Sequence, residues 1–300
     1  MSRGIWQGLA AYAIWGLFPL YWKQFSHVPA IQTIAHRILW SFLALVVLQV
    51  ATRPSGASVV RPSAKAMGLL ALAAALIGAN WFLYVWGVNA GLVLQTSLGY
   101  FMTPLVNVLL GVAVLRERLR PLQWAAVGVA AAGVSYLTIA VGTLPLVALG
   151  LAFSFGSYGL VKKQVALPSR EGLLLETAVL VAPAGLFLLL AHLQGTGAFL
   201  RTGALTDLLL VGGGVVTIVP LLLFASAVRR VPLSVVGLLQ YVSPTIQFAI
   251  GILVYAEPFT HVQLIGFSTV WVALVLFGVD GLRASRQPVL GAWEAPRRSP

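Results

Sequence analysis

Residues 97–111 read SLGYFMTPLVNVLLG, and residues 237–251, 140 positions later, read GLLQYVSPTIQFAIG. Both are apolar runs crossed by one polar stripe. In the first it is Thr96, Tyr100, Thr103, Asn107 and Gly111, with Pro104 in register; in the second it is Gly237, Gln240, Ser243, Gln247 and Gly251, with Pro244. Steps of three and four residues place each stripe on one helix face. Glu117 and Gln123 follow the first copy, Glu257 and Gln263 the second. Polar side chains are costly in hydrocarbon, so such a face is expected to look into a packed or water-filled interior. Two copies point to two related bundles around one pathway, the plan of many secondary transporters.

The rest of the chain fits a membrane setting. Its 300 residues are 59% hydrophobic and 9% charged, against roughly 25% charged in soluble domains. Reading apolar runs of about 20 residues predicts an all-α polytopic membrane protein with ten transmembrane helices. They lie near 4–22, 33–51, 67–88, 93–115, 121–140, 145–162, 172–192, 207–228, 232–254 and 261–280. Residues 1–141 and 142–282 then form two five-helix units, and 283–300 a disordered tail on the same side as the N-terminus. An odd number of spans per unit makes the second enter the membrane inverted. With the N-terminus cytoplasmic, only Lys23, Arg37 and Arg201 of the 19 Lys and Arg residues fall outside, which is the positive-inside pattern. The net charge of +12 is thereby a topology signal, and a nucleic-acid partner is not expected. The chain has no cysteine, no zinc-spaced His/Glu cluster, no Gly-rich phosphate loop and no serine elbow. No cofactor, metal or enzymatic activity is therefore expected.

Candidate pathway residues are Trp15, Arg37, Asn80, Tyr84, Tyr100, Asn107, Glu176, Gln240 and Gln247. The aromatics and amides would line the path. Arg37 would attract an anionic group at the outer end, and Glu176, at the position of His36 plus 140, a cationic one nearer the cytoplasm. His36 titrates in the right range to couple protons. Pro19, Pro104 and Pro244 would loosen their helices. Trp6, Trp22 and Trp124 read as an interfacial belt, Lys162-Lys163 as a topology signal, and Gly212-Gly213-Gly214 as a packing element. Small residues of the fifth span, among them Ala126, Ala130 and Gly133, suit close helix contact, either internal or in a homodimer.

Several segments resemble a known family: AYAIWGLFPLYWK (11–23), HRILWS (36–41), NWFLYVWGVN (80–89), SLGYFMTPLVNVLLGV (97–112) and LQYVSPTIQF (239–248). They are similar to the RarD group of EamA-type permeases in the drug/metabolite transporter superfamily. The resemblance covers residues 4–280. It implies ten helices in two inverted five-helix repeats, a bacterial inner-membrane location, and efflux or exchange of a small metabolite. Where that family pattern carries an acid before the SLGYF run, this chain has Gln95. The expected partners are the bilayer and a small amphipathic or amino-acid-like solute moved by alternating access. An intramembrane lipid-modifying enzyme, a channel, or a scaffold or receptor would be told apart by flux.

Overall fold

The computed structural model describes residues 3–52, 62–90, 92–142, 144–256 and 260–286. Among them all regular structure is helical: α1 (Arg3–Trp22), α2 (Ala30–Thr52), α3 (Ala64–Asn89), α4 (Val93–Ala113), α5 (Pro121–Val141), α6 (Leu146–Gln164), α7 (Ser169–Leu193), α8 (Ala204–Val228), α9 (Leu233–Gln240), α10 (Val242–Leu253) and α11 (His261–Arg286), plus a 3-10 turn over Lys23–Phe25. The helices form ten spans, because α9 and α10 are one span broken at Tyr241. Pro244 accounts for the break: it cannot donate to the Gln240 carbonyl, and its ring crowds the preceding turn. The helices α1 and α4 run on through Pro19 and Pro104. Eight spans are long and apolar enough to cross a membrane by length and composition; α1, rich in Trp and Tyr, and α6, ending in Lys162 and Lys163, are less apolar. The last helix continues to Arg286, so four residues assigned above to a tail are helical, and 287–300 lie outside the described residues.

The chain is a multi-pass membrane protein of two inverted five-helix repeats, and the helix pairings follow that symmetry. Across a two-fold axis each element must meet its own counterpart or do so in mirrored pairs. The helices α2 and α7 pack together, as do α4 with α9 and α5 with α11. The pairing of α4 with α6 is mirrored by α1 on the α9–α10 span, and α3 with α6 by α8 with α1. The correspondence reaches single residues at the offset of 140. A Cβ on Gly16 would lie 2.7 Å from Ile246, and one on Gly156 would lie 2.8 Å from Val106, the counterpart contact. Phe101 and its counterpart Tyr241 meet on the axis, the Tyr241 hydroxyl donating to the Phe101 carbonyl at 3.2 Å.

The stripe's outlying amides turn out to be caps. Gln123 Oε1 accepts from the backbone N–H of Arg120 at 3.0 Å, and Gln263 Oε1 accepts from that of Thr260, also at 3.0 Å. Each satisfies an orphan donor at the start of a span, α5 and α11 respectively. Pro121 at the first position of α5 fits the same logic, since its missing N–H would be unsatisfied there anyway. Between the repeats the chain turns at Gly142, whose φ of 73° closes α5 in the left-handed region that favours glycine. Glu257 lies outside the described residues.

Some of the fifth span's small residues pack internally: Ala126 and Ala130 are fully buried, and a Cβ on Gly133 would lie 2.9 Å from Thr269 of α11. The triple glycine of α8 does serve packing. A Cβ on Gly212 would meet the Tyr21 hydroxyl at 2.9 Å, and one on Gly214 would collide with the Trp40 backbone, where Ser41 donates to the Gly214 carbonyl at 3.2 Å. Gly214→Ala is therefore expected to push α8 off α2. Overpacking of this kind costs about 1–3 kcal/mol, more where the obstacle is backbone. A thermal unfolding series in detergent checks this, with Gly128→Ala, where a Cβ meets nothing within 4 Å, as the neutral reference.

Candidate functional site

Ten spans packed as two inverted halves leave one central cavity of about 310 Å3, near the lower end of small-molecule pockets at roughly 300 Å3. Its wall comes from the second half of α1 (Tyr12 to Trp22), the first turns of α2 (Ile34, Arg37), the second half of α3 (Ile77 to Tyr84) and the first half of α4 (Gly99 to Thr103). Leu151 and Phe155 of α6, Thr217 and Leu221 of α8, and Gln240 to Gln247 of the broken span complete it. Because α1 starts at Arg3, these positions share the half of the membrane opposite the N-terminal face. The break at Tyr241 falls within this wall, which is where irregular backbone is tolerated in a membrane.

Seven of the nine candidate pathway residues meet here: Trp15, Arg37, Asn80, Tyr84, Tyr100, Gln240 and Gln247, together with Pro19 and Pro244. Asn80 is held by Nδ2 bonds of 2.9 Å to the Leu151 carbonyl and the Ser154 hydroxyl, joining α3 to α6. Gln247 donates to the Trp15 carbonyl at 3.1 Å, joining α10 to α1. Tyr84 and Tyr100 stand edge to face with centroids 5.9 Å apart. Asn107 lies outside the wall, fully buried, donating to Gln240 Oε1 at 3.0 Å and so holding that amide from below. Pro104 is also buried, its carbonyl within 2.8 Å of where a Gly237 Cβ would sit, at the crossing of α4 and α9.

Arg37 dominates the electrostatics. Among the described residues it is the sole charged one in the wall, and none of them there is a carboxylate. Its Nε donates to Thr217 at 3.1 Å, and its guanidinium carbon sits 4.6 Å from the Trp22 ring, 4.9 Å from Trp81 and 5.9 Å from Phe18. The aromatic faces stabilise the cation by their quadrupoles, but they do not neutralise it. Its two terminal nitrogens have no hydrogen-bond partner among the described residues. Trp22 thus belongs to the site rather than to an interfacial belt. Trp6 and Trp124 are exposed, as a belt requires.

His36 and Glu176 are placed elsewhere. The His36 ring packs at 5.2 Å on Phe199 of the α7–α8 connection, away from the cavity. Glu176 is buried and accepts from Lys162 at 2.7 Å, with both side chains under 4% exposed. Lys162 is therefore a buried ion-pair partner rather than a surface topology charge. Lys163, by contrast, bonds the Val231 carbonyl at 2.7 Å. Gln95 accepts from the Val147 N–H at 3.2 Å and so ties α4 to the start of α6.

On the N-terminal side the cavity is closed in layers. Tyr12, Trp15, Phe155, Tyr158 and Phe224 form an aromatic plug; Trp15 and Phe224 have centroids 5.6 Å apart, and Tyr158 stacks on Phe224 at 5.9 Å. Beneath it the Glu117 carboxylate seizes the start of α9, accepting from the backbone N–H of Leu233 at 2.7 Å and of Ser234 at 2.9 Å, and from the Ser234 hydroxyl at 2.7 Å. A carboxylate at a helix N-terminus is favoured by the aligned peptide dipoles. Burial alone would raise the Glu117 pKa. The Ser234 and Leu233 bonds, aided by Lys163 at 3.5 Å, outweigh it and hold the group below its ordinary value. Gly111 leaves the room: a Cβ there would lie 2.6 Å from the Glu117 oxygen.

Sequence reasoning missed Thr217, Phe18 and the plug residues Phe155, Tyr158 and Phe224. Thr217 and Phe18 stand opposite no candidate residue and carry no signal. Phe155 and Phe224 do have one, since they stand 140 positions from Trp15 and Tyr84.

Comparison with known proteins agrees with this architecture. The EamA-like transporter family matches the chain twice, over residues 2–139 and 143–279. An uncharacterized transporter, YojE of Bacillus subtilis, is 47% identical, with 95% of this chain and 96% of the relative aligned. Protein RarD of Escherichia coli is 40% identical over 95% and 97%, and chloramphenicol-sensitive protein RarD of Pseudomonas aeruginosa 30% over 95% and 97%. One solved crystal structure shares the fold with a TM-score of 0.73 at 17% identity, covering 95% of this chain and 99% of its own.

Proposed function

The chain belongs to the EamA-like transporter family, in its RarD group, and from that premise we propose a secondary transporter that moves a small, carboxylate-bearing, amino-acid-like metabolite by alternating access. The observation that carries the substrate class is the Arg37 guanidinium, lodged in an aromatic wall with no carboxylate beside it among the described residues. An intramembrane charge without a partner is costly, so the site is built for an anion that arrives with the solute. Arginine offers a planar fork that matches a carboxylate with two parallel bonds. The half of the wall facing it supplies amides and phenols for an amino or hydroxyl group, and aromatic rings for an apolar side chain. A solute with these three features fits about 310 Å3. We place the protein in the bacterial inner membrane with both termini cytoplasmic, on the Lys/Arg bias of its loops. Residues 1–141 and 142–282 act as the two moving units in this reading.

The test is counterflow. Proteoliposomes loaded with a mixture of unlabelled amino and hydroxy acids are expected to accumulate a labelled acid transiently, with saturation. Flux that never saturates would mean a channel, and chemical alteration of the solute an enzyme.

A further inference from the structure

We propose that the cavity holds a distinct ammonium subsite, made by Asn80 Oδ1 and Gln247 Oε1 beside the Trp15–Phe155 ring pair, which selects a primary amine and turns away its hydroxy and N-acylated analogues. This deepens the transport reading above and rests on it.

An amide side chain has one end that donates and one that accepts, so whatever holds one end decides which end is left for a ligand. Asn80 is tied by two bonds of 2.9 Å, to the Leu151 carbonyl and the Ser154 hydroxyl. Gln247 is tied to the Trp15 carbonyl at 3.1 Å and, more loosely, to the Ser243 hydroxyl at 3.4 Å. A backbone carbonyl can only accept, so in both residues the tied end is the NH2 group. Turning either amide over would set two carbonyl oxygens against each other. The Ser154 hydroxyl donates its own hydrogen to the Leu151 carbonyl at 3.1 Å, so towards Asn80 it too acts as an acceptor. The end left over is therefore an oxygen in both cases. Asn80 Oδ1 and Gln247 Oε1 have no hydrogen-bond partner among the described residues, and neither is sealed in the protein as Asn107 Oδ1 is. Both residues are half-buried and line the cavity, so the two oxygens look into it.

The two ties end beside one ring pair. Trp15 itself supplies one of the carbonyls, and Leu151 stands one helical turn before Phe155 on α6; the two rings meet edge to face at 6.0 Å. Carbonyl oxygens and aromatic faces both present negative potential, which suits a cation. An ammonium brings three N–H groups and can satisfy both oxygens at once. A hydroxyl brings one hydrogen and leaves the second oxygen desolvated without a bond. An acylated nitrogen also brings one, with the bulk of the acyl group added. Gln240 has the opposite polarity: its Oε1 accepts from Asn107 at 3.0 Å, which leaves its NH2 end as a donor of the same sense as Arg37.

The test is competition in the counterflow assay, with the full chain in proteoliposomes. Competitors come in three side-chain series, alanine, leucine and phenylalanine, each beside its α-hydroxy analogue and its N-acetyl derivative. In the parent, the amino acid of the best-competing series is expected to half-inhibit at roughly ten- to a hundred-fold lower concentration than either analogue, the contribution of one charge-assisted hydrogen bond. Asn80→Leu and Gln247→Leu remove one oxygen each and are expected to bring that ratio towards one, weakening the amino acid while the hydroxy acid holds. The ratio is taken within each variant, so a general loss of transport from a severed helix tie cancels. Gln247→Glu separates the oxygen from the tie: it loses the bond to Trp15, keeps an oxygen for the ammonium, and is expected to keep the preference.

Equal competition by amino and hydroxy acids in the parent, with counterflow intact, overturns the subsite and leaves the transport reading standing. A preference that survives in both leucine variants places amine selection elsewhere and overturns it too, as does loss of the preference in Gln247→Glu. If neither leucine variant yields folded protein, the parent ratio and Gln247→Glu decide. Absence of saturable counterflow with every solute overturns both readings.

Discussion

Lys162→Met is expected to leave little folded protein in detergent, whereas Lys162→Met combined with Glu176→Leu folds nearly as well as the parent. The two groups meet at 2.7 Å between α6 and α7, with 3% and 2% of their side chains exposed. Removing one member strands a buried charge without its counter-ion, at a cost of about 3–5 kcal/mol. That is a large share of the roughly 5–15 kcal/mol that separates folded from unfolded domains. Removing both leaves apolar side chains of similar volume, and such exchanges are often neutral or stabilising. Monodispersity on size exclusion and the thermal midpoint, measured for the singles and the double, give the coupling directly. Equal losses in the double and in Lys162→Met would mean that the lysine acts through packing alone.

That pair shows where reading the sequence ran out. Lys162 and Glu176 are 14 positions apart on two different helices, and they meet only because the short connection 165–168 brings the start of α7 back beside the end of α6. Read singly, a lysine at a span end looks like a topology charge and a glutamate inside a span looks like a binding group. The spans themselves were legible because twenty apolar residues between charged breaks have few other uses, and the repeat was legible because Pro104 and Pro244 kept register with the stripe. The stripe could not be divided by pattern alone. Tyr100, Gln240 and Gln247 reach the cavity, Asn107 sits beneath it, and Gln123 and Gln263 cap helices. All carry polar side chains, and only the crossing of α4 with α9 decides which of them faces the cavity.

Arg37→Gln is expected to abolish uptake of carboxylate solutes while leaving the protein as stable as before or more so. In the unliganded state the guanidinium is desolvated and paired only with Thr217 and ring faces. Deleting the charge thus relieves a cost in the empty transporter, the stability–activity opposition typical of binding sites. With substrate present the same charge completes an ion pair. Truncating one partner of a buried pair costs about 2–5 kcal/mol, which is roughly 30- to several-thousand-fold in affinity. Arg37→Lys keeps the charge but loses the planar fork and the stacking between Trp22 and Trp81, so it rescues only part of the loss. The decisive comparison is between an acid and its methyl ester or amide. The neutral analogue has no carboxylate to lose, so its weaker transport is expected to be nearly the same in parent and Arg37→Gln. If the ester suffers as much as the acid, Arg37 holds α2 against α8 and does not read substrate charge. If the acid alone suffers and the thermal midpoint holds or rises, the uncompensated cation is the substrate's own counter-ion.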